Sequence, residues 1–241
     1  MSHNPHTSGP DEANFAQPLY TPIKRRSFFM YAGATAGATA LVLAGCKKDD
    51  ENPPAAANLI DVGSADVGVL NYAYALEQLE SAFYTQVLAG AYFTGAVAAE
   101  KAIFSDIAIH EKIHVDFFKK AITGAAPTMI IKALEPDFST INFGDRTSVL
   151  GAAKLFEDTG VSAYNGAARF LTQDAYLTLA GKIVSVEARH AAVLRDLIMN
   201  GTFADDLDAN ALDKSKTPQA VATAVNAYLK EGSKISATKL V

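Results

Sequence analysis

Two glutamate–histidine pairs constrain the fold of this chain more than any other feature. Glu111 and His114 stand three residues apart, and so do Glu187 and His190. Each pair follows a glutamate and a tyrosine seven residues apart: Glu77 with Tyr84 in one case, Glu157 with Tyr164 in the other. The same four marks thus occur twice in the same order, with 34 residues from Glu77 to Glu111 and 30 from Glu157 to Glu187. On a helix, a spacing of three or seven keeps two side chains on one face. The chain therefore carries an internal duplication that is visible mainly at polar positions.

The apolar residues around these marks are spaced in threes and fours from about Asp66 onward. They predict helices over 66–90, 96–122, 147–170 and 173–199, with a shorter one from about Pro218 to Leu229. Gly90 and Gly95 bracket a short turn, and Asn200-Gly201 closes the fourth helix. A long connection over 125–146 holds Pro127, Pro136 and Gly144, and Thr147 or Asp145 is the expected cap of the third helix. No stretch alternates with period two. Two close helix pairs joined by one long link predict an all-α four-helix bundle with a crossover connection. With 49% hydrophobic and 20% charged residues, the chain can fill one good core. A formal net charge of −5 argues against nucleic acid as a partner.

Glu111 and His114 continue the stripe of Ile103, Ile107, Phe118 and Ile122, while Glu187 and His190 lie on that of Ile183, Leu194 and Leu197. Glu77 falls among Leu70, Ala73, Tyr84 and Val87, and Glu157 near Leu150 and Tyr164. Four carboxylates and two imidazoles are thus expected inside one bundle core. Burying unpaired carboxylates costs several kcal/mol each. Two divalent cations would balance four such charges, so a site for two metal ions is expected.

The stretch "HEKIH", residues 110–114, also reads as the His-Glu-x-x-His of a zinc metalloprotease. That reading needs His110 and His114 on one ion and gives no role to Glu77, Glu157, Glu187 or His190. The second half has Val186 where the first has His110, so only Glu-x-x-His is duplicated. His110 is then expected beside the site or at the surface. A single cysteine excludes an internal disulfide and a zinc site built from several cysteines.

At these residues the chain resembles the ferritin-like superfamily, most closely the bacterial ferritin-like domain proteins of the desiccation-related type. "LEQLESAFY" is similar to that family's first metal helix and "VEARHAAVLRDL" to its fourth. The resemblance spans about residues 66–200. It implies Glu77 and Glu157 as terminal carboxylates, Glu111 and Glu187 as bridging ones, and His114 and His190 as nitrogen ligands of two divalent ions, iron or manganese. It also implies Tyr84 and Tyr164 as hydrogen-bonding partners of the ligands. Glu80, one turn after Glu77, either substitutes as a ligand or lies beside it. Asp116 and Asp158 are expected to be solvated. No cysteine set for a rubredoxin-type centre is present. Two functions stay open: an oxidoreductase acting on oxygen or peroxide (ferroxidase, peroxidase or catalase-like), and a non-enzymatic stress or structural bundle of the cell envelope. A homo-oligomer is compatible with either.

The first 65 residues carry separate signals. Lys24, Arg25 and Arg26 precede an apolar run rich in Ala, Gly and Thr that ends in Leu43-Ala44-Gly45-Cys46. Basic, apolar, then small residues is the layout of an export signal. The paired arginines resemble a twin-arginine signal, and the final four residues resemble a bacterial lipobox with Cys46 as the lipidated residue. The expected organisation is a disordered leader and signal over 1–45, a tether over 46–65, the bundle over 66–200, and an extension with a short helix over 201–241. The expected location is the periplasm or cell surface, with a lipid anchor at Cys46 holding the protein to a membrane.

Overall fold

A computed structural model of the chain describes residues 58–241. The export-signal and lipid-anchor expectations, Cys46 included, fall outside the described residues. Helix α1 spans Ala65–Ala89, α2 Ala91–Gly95, α3 Ala98–Ala125, α4 Arg146–Ala167, α5 Asp174–Ile198 and α6 Pro218–Val225. Short 3-10 turns follow α4 at Ala168–Phe170 and α6 at Asn226–Tyr228. Strands β1 (Ile60–Asp61) and β2 (Ile235–Ser236) pair in parallel, Ile60 opposite Ile235. The long helices α1, α3, α4 and α5 form the bundle. The expected turn between Gly90 and Gly95 is itself the short helix α2.

Helix α1 is buried around most of its circumference, from Asp66 to Val87. A helix buried on most of its faces belongs near the centre of a fold, and α1 leaves only a few positions such as Thr85 and Gln86 exposed. It packs chiefly on α3 and also on α4, while α4 packs on α5. The link between α1 and α3 is short enough to return the chain antiparallel. The long connection after α3 runs along α1 and is held there by side chains of α1. Asn71 donates to the carbonyls of Val62 and Met129 and accepts from the amide of Ile131, and Gln78 accepts from the amide of Leu134.

Caps and clamps fix the ends. Asp145 caps α4 by accepting from the Ser148 amide at 2.7 Å, and Thr217 caps α6 ahead of Pro218. Asp66 accepts from the amides of Thr172 and Gln173 and from the Thr172 hydroxyl, tying the start of α1 to the start of α5. At the opposite pole Glu100 of α3 accepts from Arg146 of α4 and from Tyr92 of α2. The C-terminal segment closes over α4. There the backbone of Lys216 comes so near Gly166 that a Cβ would lie 1.7 Å from the Lys216 carbonyl oxygen, so only glycine fits. Val221, Val225, Leu229, Ile235 and Leu240 complete the same core. Among the described residues, no helix is long and apolar enough to cross a membrane.

Candidate metal centre

The four long helices bring the six predicted residues together at mid-bundle. Glu77 comes from α1, Glu111 and His114 from α3, Glu157 from α4, and Glu187 and His190 from α5. All four carboxylates are 0% exposed, so water does not solvate their charges. Glu77, Glu111, His114 and Glu187 each offer one ligand atom, all within 4.8 Å of one another. Glu111, Glu157, Glu187 and His190 make a second such group. Glu111 and Glu187 stand in both groups, whereas Glu77 and Glu157 stand in one each.

The contacts follow that division. His114 Nδ1 lies 3.0 Å from Glu187 Oε1, 3.2 Å from Glu77 Oε2 and 3.5 Å from Glu111 Oε2. His190 Nδ1 lies 3.0 Å from Glu111 Oε1, 3.4 Å from Glu157 Oε2 and 3.8 Å from Glu187 Oε2. Close as they are, many of these atoms do not point at one another as hydrogen-bond partners. Both oxygens of Glu111, both of Glu187, Oε2 of Glu157 and Nδ1 of His190 are buried without a hydrogen bond. Buried polar atoms are normally paired, and leaving one unpaired costs about 1–3 kcal/mol. Six unclaimed atoms converging from three helices fit cations. Carboxylate oxygens with one imidazole per group form a donor set that could hold metal ions.

Electrostatics without an ion reflect the crowding. Burial, and then the neighbouring acids, push Glu77, Glu80 and Glu157 well above the usual carboxylate range. Burial acts the same way on Glu111, but the adjacent imidazoles of His114 and His190 outweigh it and bring that carboxyl down to about 2. The imidazoles respond in the opposite sense. Burial opposes their charge, yet the surrounding carboxylates win, raising His114 to about 12 and His190 to about 10.

Both tyrosines cross between the halves. Tyr84 of α1 donates to Glu157 Oε1 of α4 at 2.5 Å, and Tyr164 of α4 donates to Glu77 Oε1 of α1. Burial, reinforced by the acids, raises both phenols, which keeps them protonated as donors. Glu80 is buried beside the cluster but belongs to neither donor group. Its Oε1 lies 3.0 Å from where a Cβ on Gly160 would stand.

Some residues near the motifs face away. Lys112 pairs with exposed Asp116, while Arg189 donates to Ser185 at the rim of the cleft between α3 and α5. Asp158 differs from its expected solvated state. It is largely covered and paired to Lys154 at 2.7 Å and Arg195 at 2.5 Å, because Arg195 reaches it from α5. His110 is exposed, yet its Nδ1 lies 2.9 Å from His190 Nε2, with the two ring planes within 11° of parallel. Spacing alone places His110 on the face of His114; only the approach of α5 makes His190 its partner.

Helices α3 and α5 pack less closely on one another than α1 does on α4. A cleft of about 360 Å³ fills the gap, with Ile103, Ile107, Ile113, Val186 and Val193 among its walls and His110, His114 and His190 also lining it. It therefore opens onto the imidazole edge of the cluster. A second pocket, near Val69, Tyr72 and Ile183, holds only about 30 Å³ and is lined by none of the cluster's carboxylates.

The family model described as ferritin-like domain matches residues 65–200, more than half of the chain. The chain belongs to the ferritin-like domain family. No curated protein matches it. In a ferritin-like domain, a buried cluster of four glutamates and two histidines is compatible with metal binding.

Proposed function

We propose that this is an exported, dinuclear metal carboxylate protein, holding iron or manganese and reacting with oxygen or peroxide. One observation carries the reading: two overlapping donor groups share Glu111 and Glu187, and their converging atoms are left without hydrogen bonds. Glu111 and Glu187 would bridge two ions. Glu77 and His114 would complete one position, Glu157 and His190 the other. Bound iron or manganese supplies redox change and open positions for oxygen species. The chain's own residues do the rest. Tyr84 and Tyr164 hold Glu157 and Glu77 in orientation from across the bundle. The cleft, walled by aliphatic side chains together with Asp106 and Arg189, has the volume to admit small molecules to the imidazole edge. The signal-like run before Cys46 supports export and lipid anchoring, since a twin-arginine route suits proteins that fold around a cofactor first.

Elemental analysis of the full chain, produced with iron and manganese both available, tests the reading. Close to two ions per chain are expected. A single zinc with no iron or manganese would overturn it and revive the His110–His114 zinc site. Peroxide consumption by reloaded but not by chelated protein distinguishes an enzyme from a structural envelope bundle. Cys46→Ser is expected to release the folded protein from membranes; a variant still bound there would point to a retained apolar anchor instead.

A further inference from the structure

We infer that the two metal positions are unequal, and that His110 makes the position of Glu111, Glu157, Glu187 and His190 the tighter one. This rests on the metal-binding reading above. Within the cluster, the internal duplication pairs Glu77 with Glu157, Tyr84 with Tyr164, Glu111 with Glu187 and His114 with His190. Carrying the same offsets one step further pairs His110 with Val186 and Glu80 with Gly160. At both of these pairs the first half holds a polar side chain and the second half holds none.

Both extra groups reach across to the second half, and His110 reaches one position in particular. His110 Nδ1 meets His190 Nε2 at 2.9 Å. With His190 Nδ1 turned to the carboxylates as a ligand atom, Nε2 would carry the hydrogen and donate it to His110. The ring is thereby held in the orientation and tautomer that a ligand needs. His114 has no such support: among the described residues, no side chain pairs with its outer nitrogen, and Val186 stands at the matching place on the cleft wall. Glu80 reaches the second half at Gly160. The Cβ site of Gly160 lies 3.0 Å from Glu80 Oε1 and 3.8 Å from Glu187 Oε2, the Glu187 oxygen that faces His190. Gly160 thus leaves room for Glu80 beside Glu187, a residue both positions share. His110 is a positioning residue acting through His190. The position of Glu77 and His114 is left as the exchangeable one.

Manganese titration of the chelated full chain, followed by the electron paramagnetic resonance signal of free Mn2+, tests this. The wild type is expected to fill in two resolved steps, the tighter one missing in His190→Ala and present in His114→Ala. His110→Val, which copies the second half, is expected to weaken the tighter step by about 10–100-fold and leave the other alone. His110→Asn, whose carbonyl oxygen can accept in place of Nδ1, is expected to restore most of it. Val186→His is expected to tighten the weaker step by supplying His114 with the missing partner. Equal affinities in the wild type, or an equal loss of both steps in His110→Val, would overturn the inference while leaving two-metal binding intact. No Mn2+ bound at all would overturn the metal-binding reading, and this inference with it. His110 is exposed and Val186 only half-buried, so the fold should tolerate these changes; circular dichroism melts check that. Should Val186→His fail to fold, the two His110 variants still decide the question.

Discussion

The half built from α1 and α3 and the half built from α4 and α5 carry the same ligand set, yet they are not equivalent. Each contributes one lone glutamate, one Glu-x-x-His pair and one tyrosine that crosses to the other half. The first half adds Glu80 and His110, and both lean on residues of the second. Duplication accounts for a cluster that can hold two ions; the departures from it account for two positions that differ. A symmetric pair of ligand sets would otherwise give both ions the same environment.

The largest expected effect comes from the residues the two positions share. Glu111→Ala or Glu187→Ala removes a ligand atom from both donor groups, so both ions should be lost. The drop should exceed the roughly 10–100-fold that losing an outer partner costs. Glu77→Ala and Glu157→Ala each belong to one group and should leave one ion per chain. Elemental analysis of the four variants separates the classes. Retention of one ion by Glu111→Ala would break the shared-ligand geometry.

Next in size is the pH dependence of the metal-free protein. The raised carboxyls of Glu77, Glu80 and Glu157 keep protons that the unfolded chain releases above about pH 4.5, so their contribution falls as pH rises. The raised imidazoles have the same sign. Their contribution is complete below 6.5 and is lost toward about 10 for His190 and about 12 for His114. Glu111, depressed to about 2, contributes only above the ordinary carboxylate range and loses that at acid pH. Chelated protein should therefore melt at a lower temperature at pH 9 than at pH 6. One group costs about 1.4 kcal/mol per pH unit inside its window. Reloaded protein should lose less, since its ligands are already deprotonated. A chelated form that grows more stable toward pH 9 would mean the acids and imidazoles do not share one buried cluster.

Much of this was legible in the sequence, because a glutamate on an apolar helix stripe is costly to bury unless a cation or a donor meets it. The helix boundaries followed from the same periodicity and from Asp145, Pro218 and Gly201. What stayed hidden depends on distances between elements that are remote in sequence. The partner of His110 lies 80 residues away on α5. Gly160 reads as an ordinary weak helix former until Glu80 is seen beside it. Asp158 reads as a surface acid because Arg195 is 37 residues further on. The closing of residues 201–241 over α4 rests on backbone contacts at Gly166 and Lys216 that leave no periodic pattern.

The smallest effect is also the finest test of the two halves. Tyr84→Phe and Tyr164→Phe each remove one hydroxyl and keep the ring, so packing against Phe83, Phe104 and Phe118 is preserved. By duplication alone the two should cost the same. The surroundings of the two glutamates say otherwise. Glu77 keeps a second partner, because His114 Nδ1 lies 3.2 Å from its Oε2 in hydrogen-bond geometry. Glu157 has no second partner, since its Oε2 is buried without a hydrogen bond. Tyr84→Phe therefore strips Glu157 of its last hydrogen bond and should destabilise the metal-free protein by about 1–3 kcal/mol. Tyr164→Phe should fall at or below the lower end of that range. In a chain of this size, 1 kcal/mol moves the melting temperature by about 2–4 °C, so the difference is measurable. With metal bound the gap should narrow, because an ion then occupies the free oxygen of Glu157. If Tyr164→Phe proves the more damaging variant in chelated protein, the imbalance between the halves runs opposite to the one described.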